Sequence, residues 1–280
     1  MHPSAPFALL LDVDGPIASP VTRTVAIDSI IPDLVAMANA GVPTVFNTGR
    51  ADAFLREEVL TPMLRAGLRP DAPVHAVAEK GAVWFSMLDG ELTPSVVDEA
   101  MQMPNSYRHT VRDAVAAEFA DSMFYDETKL AMTSIEMNVG FPQEDYPPHQ
   151  DRLERFTQAL LDEHDLNADF HIVPSIISID VEHRRGGKAL GAERAVALLR
   201  RHEVPIPQRW ITVGDSRIDY DMATWLHQAG YHVEHVDVRP AEGVPATEFP
   251  VITEPGLVND AAAAVVFSRL RAEVEAVAAH

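Results

Sequence analysis

The 280-residue chain contains no cysteine, which excludes disulfides, thiolate metal centres and a cysteine nucleophile and leaves the compartment open. Lysine is almost as scarce, being confined to Lys80, Lys129 and Lys188. Acidic residues number 42 against 22 Lys and Arg, a formal net charge of −20. Nucleic acid and anionic membrane are therefore poor partners, and any phosphorylated ligand would need local positive charge from a metal or a few placed cations. No run of about 18 apolar residues marks a membrane helix. The opening MHPSAPFALLL lacks a basic n-region, so a strand is expected there and not a signal peptide, and the cytoplasm is the expected compartment.

What the chain does have is FALLLDVDGPI, residues 7–17. The apolar run Phe7 to Leu11 is continuous and closed by Gly15 and Pro16, the pattern of a strand buried on both faces of a parallel sheet. Asp12 and Asp14 lie two residues apart along an extended chain, so both carboxylates can face one crevice beyond the strand's carboxyl end, where open α/β sheets bind ligands. A calcium loop would need further acidic residues after the glycine, and Pro16, Ile17 and Ala18 provide none.

Downstream, residues 27–40 carry apolar residues at helical spacing and stop at Gly41. A second buried strand follows from Val42 to Phe46, ending in Asn47, Thr48, Gly49 and Arg50. Strand, helix, strand is a βαβ unit and implies a parallel sheet with right-handed crossovers, so Thr48 emerges at the same edge as Asp12. A helix is expected over 51–66 and a short strand in VHAVAEKGAVWF. Beyond residue 86 the texture changes: a hairpin at LDGEL, helices over 106–120 and 149–164, and strands within 122–137 and FHIVPSIISIDVEH predict an inserted α+β domain whose antiparallel sheet is wet on one face. The chain then returns through Gly186 and Gly187 to a helix starting near Lys188. A buried strand, Trp210 to Val213, ends in Gly214 and Asp215, and Asp219 precedes a helix over 220–229, so both carboxylates can face the same crevice. A strand over 231–238 and a closing helix over 259–278 complete the chain. His232 and His235, three apart on that strand, fall on opposite faces and make poor partners for one metal.

DVDGPI, Thr48 within NTGR, Lys188 and GDSRID resemble, in order, the four motifs of the haloacid dehalogenase superfamily of phosphohydrolases. AEKGA at 78–82, and the insert between the second and third motifs, resemble its branch with a large α+β cap, which includes sugar-phosphate phosphatases. The resemblance implies a Rossmann-like three-layer α/β/α core with a mainly parallel sheet, formed by residues 1–86 and 185–280, and a cap formed by 87–184. It further implies that Asp12 is the nucleophile and Asp14 the general acid and base. Thr48 and Gly49 would bind the phosphoryl group, and Lys188 would neutralise it. Mg²⁺ would be held by Asp12, the backbone carbonyl of Asp14 and Asp215, with Asp219 acting through water or an outer contact.

Arg50 and Lys129 are candidate substrate contacts. For each there is a plainer alternative: a surface salt bridge for Arg50 and a solvated strand face near Glu127 and Glu136 for Lys129. Thr48 could equally cap the helix that follows it. Two positions depart from the family pattern: Pro16 where threonine is frequent, and Ile218 where a polar residue is frequent. The implied activity is a Mg²⁺-dependent phosphatase for a small phosphorylated metabolite, with a phosphomutase or a non-catalytic phosphometabolite-binding protein as alternatives.

Overall fold

A computed structural model of the protein describes residues 5–19 and 22–278; Met1 to Ser4, part of the segment expected to hold no signal peptide, lie outside the described residues. The chain divides into two compact units, Met1–Val96 with Gly187–His280, and Val97–Gly186. The first begins with β1 (Ala8–Leu11), α1 (Ile30–Asn39) and β2 (Thr44–Asn47). A helical stretch follows, made of α2 (Asp52–Phe54), a π-helical segment (Leu55–Leu60) and α3 (Thr61–Arg65). Then come β3 (Val74–Ala78), β4 (Val83–Leu88), β5 (Glu91–Leu92) and β6 (Val96–Val97). The second unit holds α4 (Asn105–Ala114), β7 (Met123–Tyr125), β8 (Thr133–Met137), α5 (Tyr146–Glu163), β9 (Phe170–Pro174) and β10 (Ser178–His183). The return to the first unit supplies α6 (Lys188–Arg201), β11 (Arg209–Gly214), α7 (Tyr220–Gln228), β12 (His232–Asp237), β13 (Val251–Ile252) and α8 (Asn259–Ala278). Among the described residues no helix is long and apolar enough to cross a membrane.

The sheet of the first unit runs β13-β12-β11-β1-β2-β3-β4-β5, with β6 against β4. Pairing is parallel from β13 through β3 and antiparallel in the β4 and β5 pairs. Leu10 on β1 packs with Ala195 and Leu199 of α6 and with Met222 and Leu226 of α7. Leu9 and Leu11 point the other way and are also fully buried, so both faces of β1 are covered and the continuous apolar run is accounted for. The chain moves from β1 to β2 and β3 on one flank and from β11 to β12 and β13 on the other. The strand order thus reverses between β1 and β11, the place where doubly wound sheets open a ligand crevice.

Two sequence expectations are corrected within this unit. VHAVAEKGAVWF is two strands, β3 and β4, joined by a tight turn in which Glu79 and Lys80 have φ of 46° and 56°. The hairpin after residue 86 also stays in the first sheet, so the unit extends to Val96. The change in sequence texture there reflects the switch to antiparallel pairing and not a departure from the sheet.

In the second unit, a four-stranded antiparallel sheet of order β7-β8-β10-β9 packs one face on α4 and α5: Ile135, Ile179 and Val181 join Tyr107, Val111, Leu153 and Leu161 in one cluster. The alternate residues Ser134, Glu136, Asp180 and Glu182 line the other face. That face is polar but not uniformly wet, since Ser134 and Glu182 are buried. The Ser134 hydroxyl donates to Asp180 Oδ1 at 2.6 Å and Glu182 lies 3.4 Å from His171 Nε2, so neighbouring side chains satisfy one another in place of water. Lys129 sits in the connection between β7 and β8 and is buried, not on a solvated strand. The chain turns after Tyr125, where the Asp126 carboxylate accepts from the Thr128 amide at 2.9 Å.

His75 on β3 is buried, with Nδ1 2.8 Å from the Ser86 hydroxyl and its ring stacked on His202. Burial, reinforced by the neighbouring His202, pulls its pKa from 6.5 down to about 3. The native state keeps this ring neutral where an unfolded chain would protonate it, so the contribution is whole above pH 6.5 and is lost as pH falls toward 3. Between about pH 7 and pH 5 the loss amounts to roughly 2 kcal/mol. Urea unfolding at both pH values should show His75→Asn losing less stability than the native chain over that interval; equal losses would remove His75 as the source.

Candidate active site

Three parallel strands deliver the site. Asp12 directly follows β1, Asn47 ends β2 with Thr48 next to it, and Asp215 directly follows β11, all at one edge of the sheet. The first turn of α6 brings Lys188 to the same place. Its Nζ lies 2.5 Å from Asp12 Oδ1 and 2.6 Å from Asp219 Oδ1 and donates to the Asn47 carbonyl at 2.9 Å. All four side chains are buried. Asp12, Asp215 and Asp219 each turn a carboxylate oxygen into one cluster, these atoms lying within 4.8 Å of one another.

The loops fit closely because glycine stands where they meet. Gly15 has φ of +90°, and a Cβ there would sit 2.7 Å from Asp215 Cβ and Cγ, so the loops after β1 and β11 close on each other only without a side chain. Beyond it, Val13 to Ala18 form a tight turn in which the Ala18 amide donates to the Val13 carbonyl at 2.8 Å and the Gly15 amide to the Ala18 carbonyl at 2.9 Å. Asp219 caps the short turn before α7. Its Oδ2 accepts from the Asp215 amide at 3.1 Å, the Ser216 amide at 2.9 Å and the Ser216 hydroxyl at 2.6 Å. With Oδ1 on Lys188, both oxygens of Asp219 are engaged by the protein.

Two buried carboxylates, Asp12 and Asp219, and the half-buried Asp215 around one ammonium leave an excess of negative charge. Burial pushes Asp12 well above the usual carboxylate range, against the opposing pull of Lys188 and with Asp219 adding to the rise. Asp215 is pushed up to about 6 by burial, which Arg239 only partly offsets. Burial works against the charge on Lys188, but Asp12 and Asp219 outweigh it and hold the ammonium charged. Burial likewise opposes the charge on Asp219, and there Lys188 and the Ser216 hydrogen bonds prevail and lower its pKa. Such an oxygen-only, charge-deficient cluster suits a hard divalent cation such as Mg²⁺, with Asp12 and Asp215 as the available carboxylates.

Asp14 reaches the same edge, with its side chain 40% exposed, and is gripped by Arg50. Nε lies 3.0 and 2.9 Å from the two carboxylate oxygens, and Nη2 2.7 Å from Oδ1. Arg50 therefore does form a salt bridge, to the second aspartate of the opening motif. Thr48 is buried, and its hydroxyl accepts from the Arg50 amide at 3.1 Å. It does not cap the following helix, which starts at Asp52 behind Ala51. The hydroxyl proton is thus left to bind another acceptor. Gly49 has room for a Cβ, at ordinary contact distance from Lys80. Lys129 belongs to the second unit, and Ile218 is 59% exposed.

Asn47 is a site residue that the motif reading passed over. Its Nδ2 donates to the Lys188 carbonyl at 3.0 Å while the Lys188 ammonium donates to the Asn47 carbonyl, so strand end and helix start hold each other. A polar residue closing a buried strand was the available signal. Gly191 makes this contact sterically possible, because a Cβ there would lie 1.8 Å from Asn47 Oδ1. Alanine normally favours a helix interior over glycine by about 1 kcal/mol. Gly191→Ala is nevertheless expected to destabilise the protein by about 1–3 kcal/mol, read as a lowered urea midpoint; an unchanged or raised midpoint would show that Asn47 moves aside freely.

No protein-family model matches this sequence, and neither does any curated protein. Solved structures do match its shape. A haloacid dehalogenase-like hydrolase from Bacteroides thetaiotaomicron superimposes with a TM-score of 0.62 at 12% identity, covering 94% of this chain and 99% of that one. The chain has the haloacid dehalogenase-like fold. Trehalose-6-phosphate phosphatase from Aspergillus fumigatus matches with a TM-score of 0.53 at 17% identity over 96% of this chain and 94% of that one. IMP-nucleotidase from Plasmodium falciparum matches with a TM-score of 0.52 at 11% identity over 77% of this chain and 54% of that one. In this fold the Asp12, Thr48, Lys188 and Asp215 positions all stand at the carboxyl edge of the central strands.

Proposed function

We propose that the protein is a Mg²⁺-dependent phosphatase that hydrolyses a small phosphorylated metabolite, a sugar phosphate being the favoured class, through an aspartyl-phosphate on Asp12. The observation that carries this reading is the buried cluster in which one ammonium, Lys188, meets Asp12 and Asp219 at 2.5 and 2.6 Å beside Asp215. Of the solved structures with this fold, one is a trehalose-6-phosphate phosphatase and another an IMP-nucleotidase, which supports phosphate ester hydrolysis and leaves the esterified group open.

Asp12 Oδ attacks phosphorus while the bond from phosphorus to the ester oxygen breaks, and Asp14 delivers a proton to the departing oxygen. Water then attacks the aspartyl-phosphate, giving its proton to Asp14; the phosphorus–Oδ bond breaks, releasing phosphate and restoring both carboxyl groups. Lys188 neutralises Asp12 and the transferring group, while Thr48 donates its hydroxyl to a phosphoryl oxygen and Gly49 offers its backbone amide. Contacts of this kind are worth roughly 3–4 kcal/mol each in a dry site. Mg²⁺ would be held by Asp12, the Asp14 carbonyl and Asp215, with Asp219 acting through water or an outer contact, and would supply charge neutralisation to a reaction between anions. Arg50 keeps Asp14 at the edge until the carboxyl turns to the leaving oxygen, after which the guanidinium is available to the substrate.

Phosphate release should be measured on a panel of sugar phosphates and nucleoside monophosphates with Mg²⁺ and with EDTA. Release from at least one ester, abolished by EDTA, is expected. No release from any ester under either condition would end the phosphatase reading.

A further inference from the structure

We infer that the cavity beside Asp215 is an anion subsite, in which Arg217 and Arg239 receive a carboxylate or second phosphate carried by the organic part of the substrate. This rests on the phosphatase reading for the position of the ester phosphate, at Asp12 and Lys188. The cavity, of about 330 Å³, is formed by the loops after β11 and β12 and is lined by Arg217, Ile218, Tyr220, Asp237 and Arg239 together with Asp215. It therefore adjoins the carboxylate cluster directly.

The aspartates and arginines of the cavity wall differ in what they leave open to a ligand. Asp237 is buried, and both its oxygens are occupied by the wall: Oδ1 accepts from the Arg239 amide at 2.9 Å and Oδ2 from the Tyr220 hydroxyl at 2.7 Å. Arg239 is anchored by its backbone and by Nε, which donates to the Asp215 carbonyl at 3.1 Å and lies 3.4 Å from Asp215 Oδ2. Its side chain is 51% exposed, and its terminal nitrogens make no hydrogen bond among the described residues. An arginine held at Nε with its outer nitrogens open presents a planar donor pair suited to carboxylate or phosphate. Arg217, on the turn before α7, adds a second guanidinium to the same cavity.

In a chain of net charge −20, two arginines at one cavity mark a place where negative charge is received. Lys188 already serves Asp12 and Asp219, and Arg50 serves Asp14, while Arg239 meets Asp215 through Nε and keeps its outer nitrogens for a ligand. If Asp215 serves a metal ion, Arg239 gives up the one carboxylate it meets among the described residues, and its guanidinium is freer to receive an anion. Ile218, where related motifs carry a polar residue, offers apolar surface for the carbon skeleton between the two anionic groups without competing for either arginine. The substrate class becomes phosphate esters bearing a second anionic group.

The test is calorimetric binding with Mg²⁺ to Asp12→Asn, which by the proposed chemistry does not turn over. Two matched pairs separate the anion types: glycerol 3-phosphate against 3-phosphoglycerate for a carboxylate, and glucose 6-phosphate against glucose 1,6-bisphosphate for a second phosphate. The more anionic member of at least one pair should bind about tenfold more tightly, and adding Arg217→Gln with Arg239→Gln should cut that preference to about twofold. Equal affinities within both pairs, or a preference that survives both arginine substitutions, would overturn the subsite. Phosphate release by the native chain from these four esters and from the sugar phosphate and nucleoside monophosphate panel separates the two failures. Hydrolysis without an arginine-dependent preference leaves the phosphatase reading standing and removes the subsite; the preference without hydrolysis leaves a binding site and removes the phosphatase.

Discussion

Replacing Lys188 with methionine is expected to destabilise the protein by about 3–5 kcal/mol, because it strands the buried carboxylates of Asp12 and Asp219, which meet no other cationic side chain at this distance among the described residues. Methionine keeps much of the aliphatic stem and fills most of the space, so packing contributes little to the loss. What disappears is an ammonium 2.5 Å from Asp12 and 2.6 Å from Asp219, together with its bond to the Asn47 carbonyl. The Asn47 amide bond to the Lys188 carbonyl survives the substitution, which keeps the start of α6 in place and isolates the electrostatic effect. Combining Lys188→Met with Asp12→Asn should recover part of the stability, since one of the unpaired carboxylates is then gone. Urea unfolding of the four proteins in the cycle gives the coupling energy; a loss below about 1 kcal/mol in the single variant, with no coupling, would mean that water reaches the site and screens it. If the phosphatase reading holds, kcat falls as well, by about 10²–10³.

Asp12→Asn should behave in the opposite way on stability and more severely on activity. The substitution is nearly isosteric and removes a carboxylate that burial already pushes toward protonation, while Lys188 keeps Asp219 as a partner at 2.6 Å. Without metal, stability should therefore stay level or rise slightly. On the proposed chemistry the rate of ester hydrolysis should fall by on the order of 10⁴ or more, because an amide could not form the covalent intermediate. Stability that is kept while activity disappears separates a lost nucleophile from a lost fold. Retention of more than about one per cent of the native rate would exclude Asp12 as the nucleophile.

Much of this site follows from local sequence, because each part of it ends a regular element. A buried strand announces itself as an unbroken apolar run, and the residue that ends it is placed by the sheet. Asp12, Thr48 and Asp215 could be assigned to one edge from three such runs, and Lys188 from the first turn of the helix behind them. The hairpin after β4 was harder, because a strand that reverses direction at the sheet's edge carries the same alternating pattern as one that leaves for another domain. Lys129 falls outside the expected strand for a related reason: the partial alternation over 122–137 reads as strand throughout, whereas the Asp126 turn takes the chain out of β7 before Lys129.

The sequence by itself determined the parallel core, the two-aspartate strand end and the set of carboxylates that gather there, since these depend on periodicities of two and 3.6 residues and on which residue follows a buried run. Only the tertiary structure decided the pairings. Asn47 and Lys188 are 141 residues apart in the chain yet exchange hydrogen bonds, Arg50 grips Asp14 across 36 residues, and Arg239 meets Asp215 across 24. No local pattern encodes which guanidinium will face which carboxylate. That depends on strand order, and on Gly15 and Gly191 having no side chain where two loops, and a strand end and a helix, must touch.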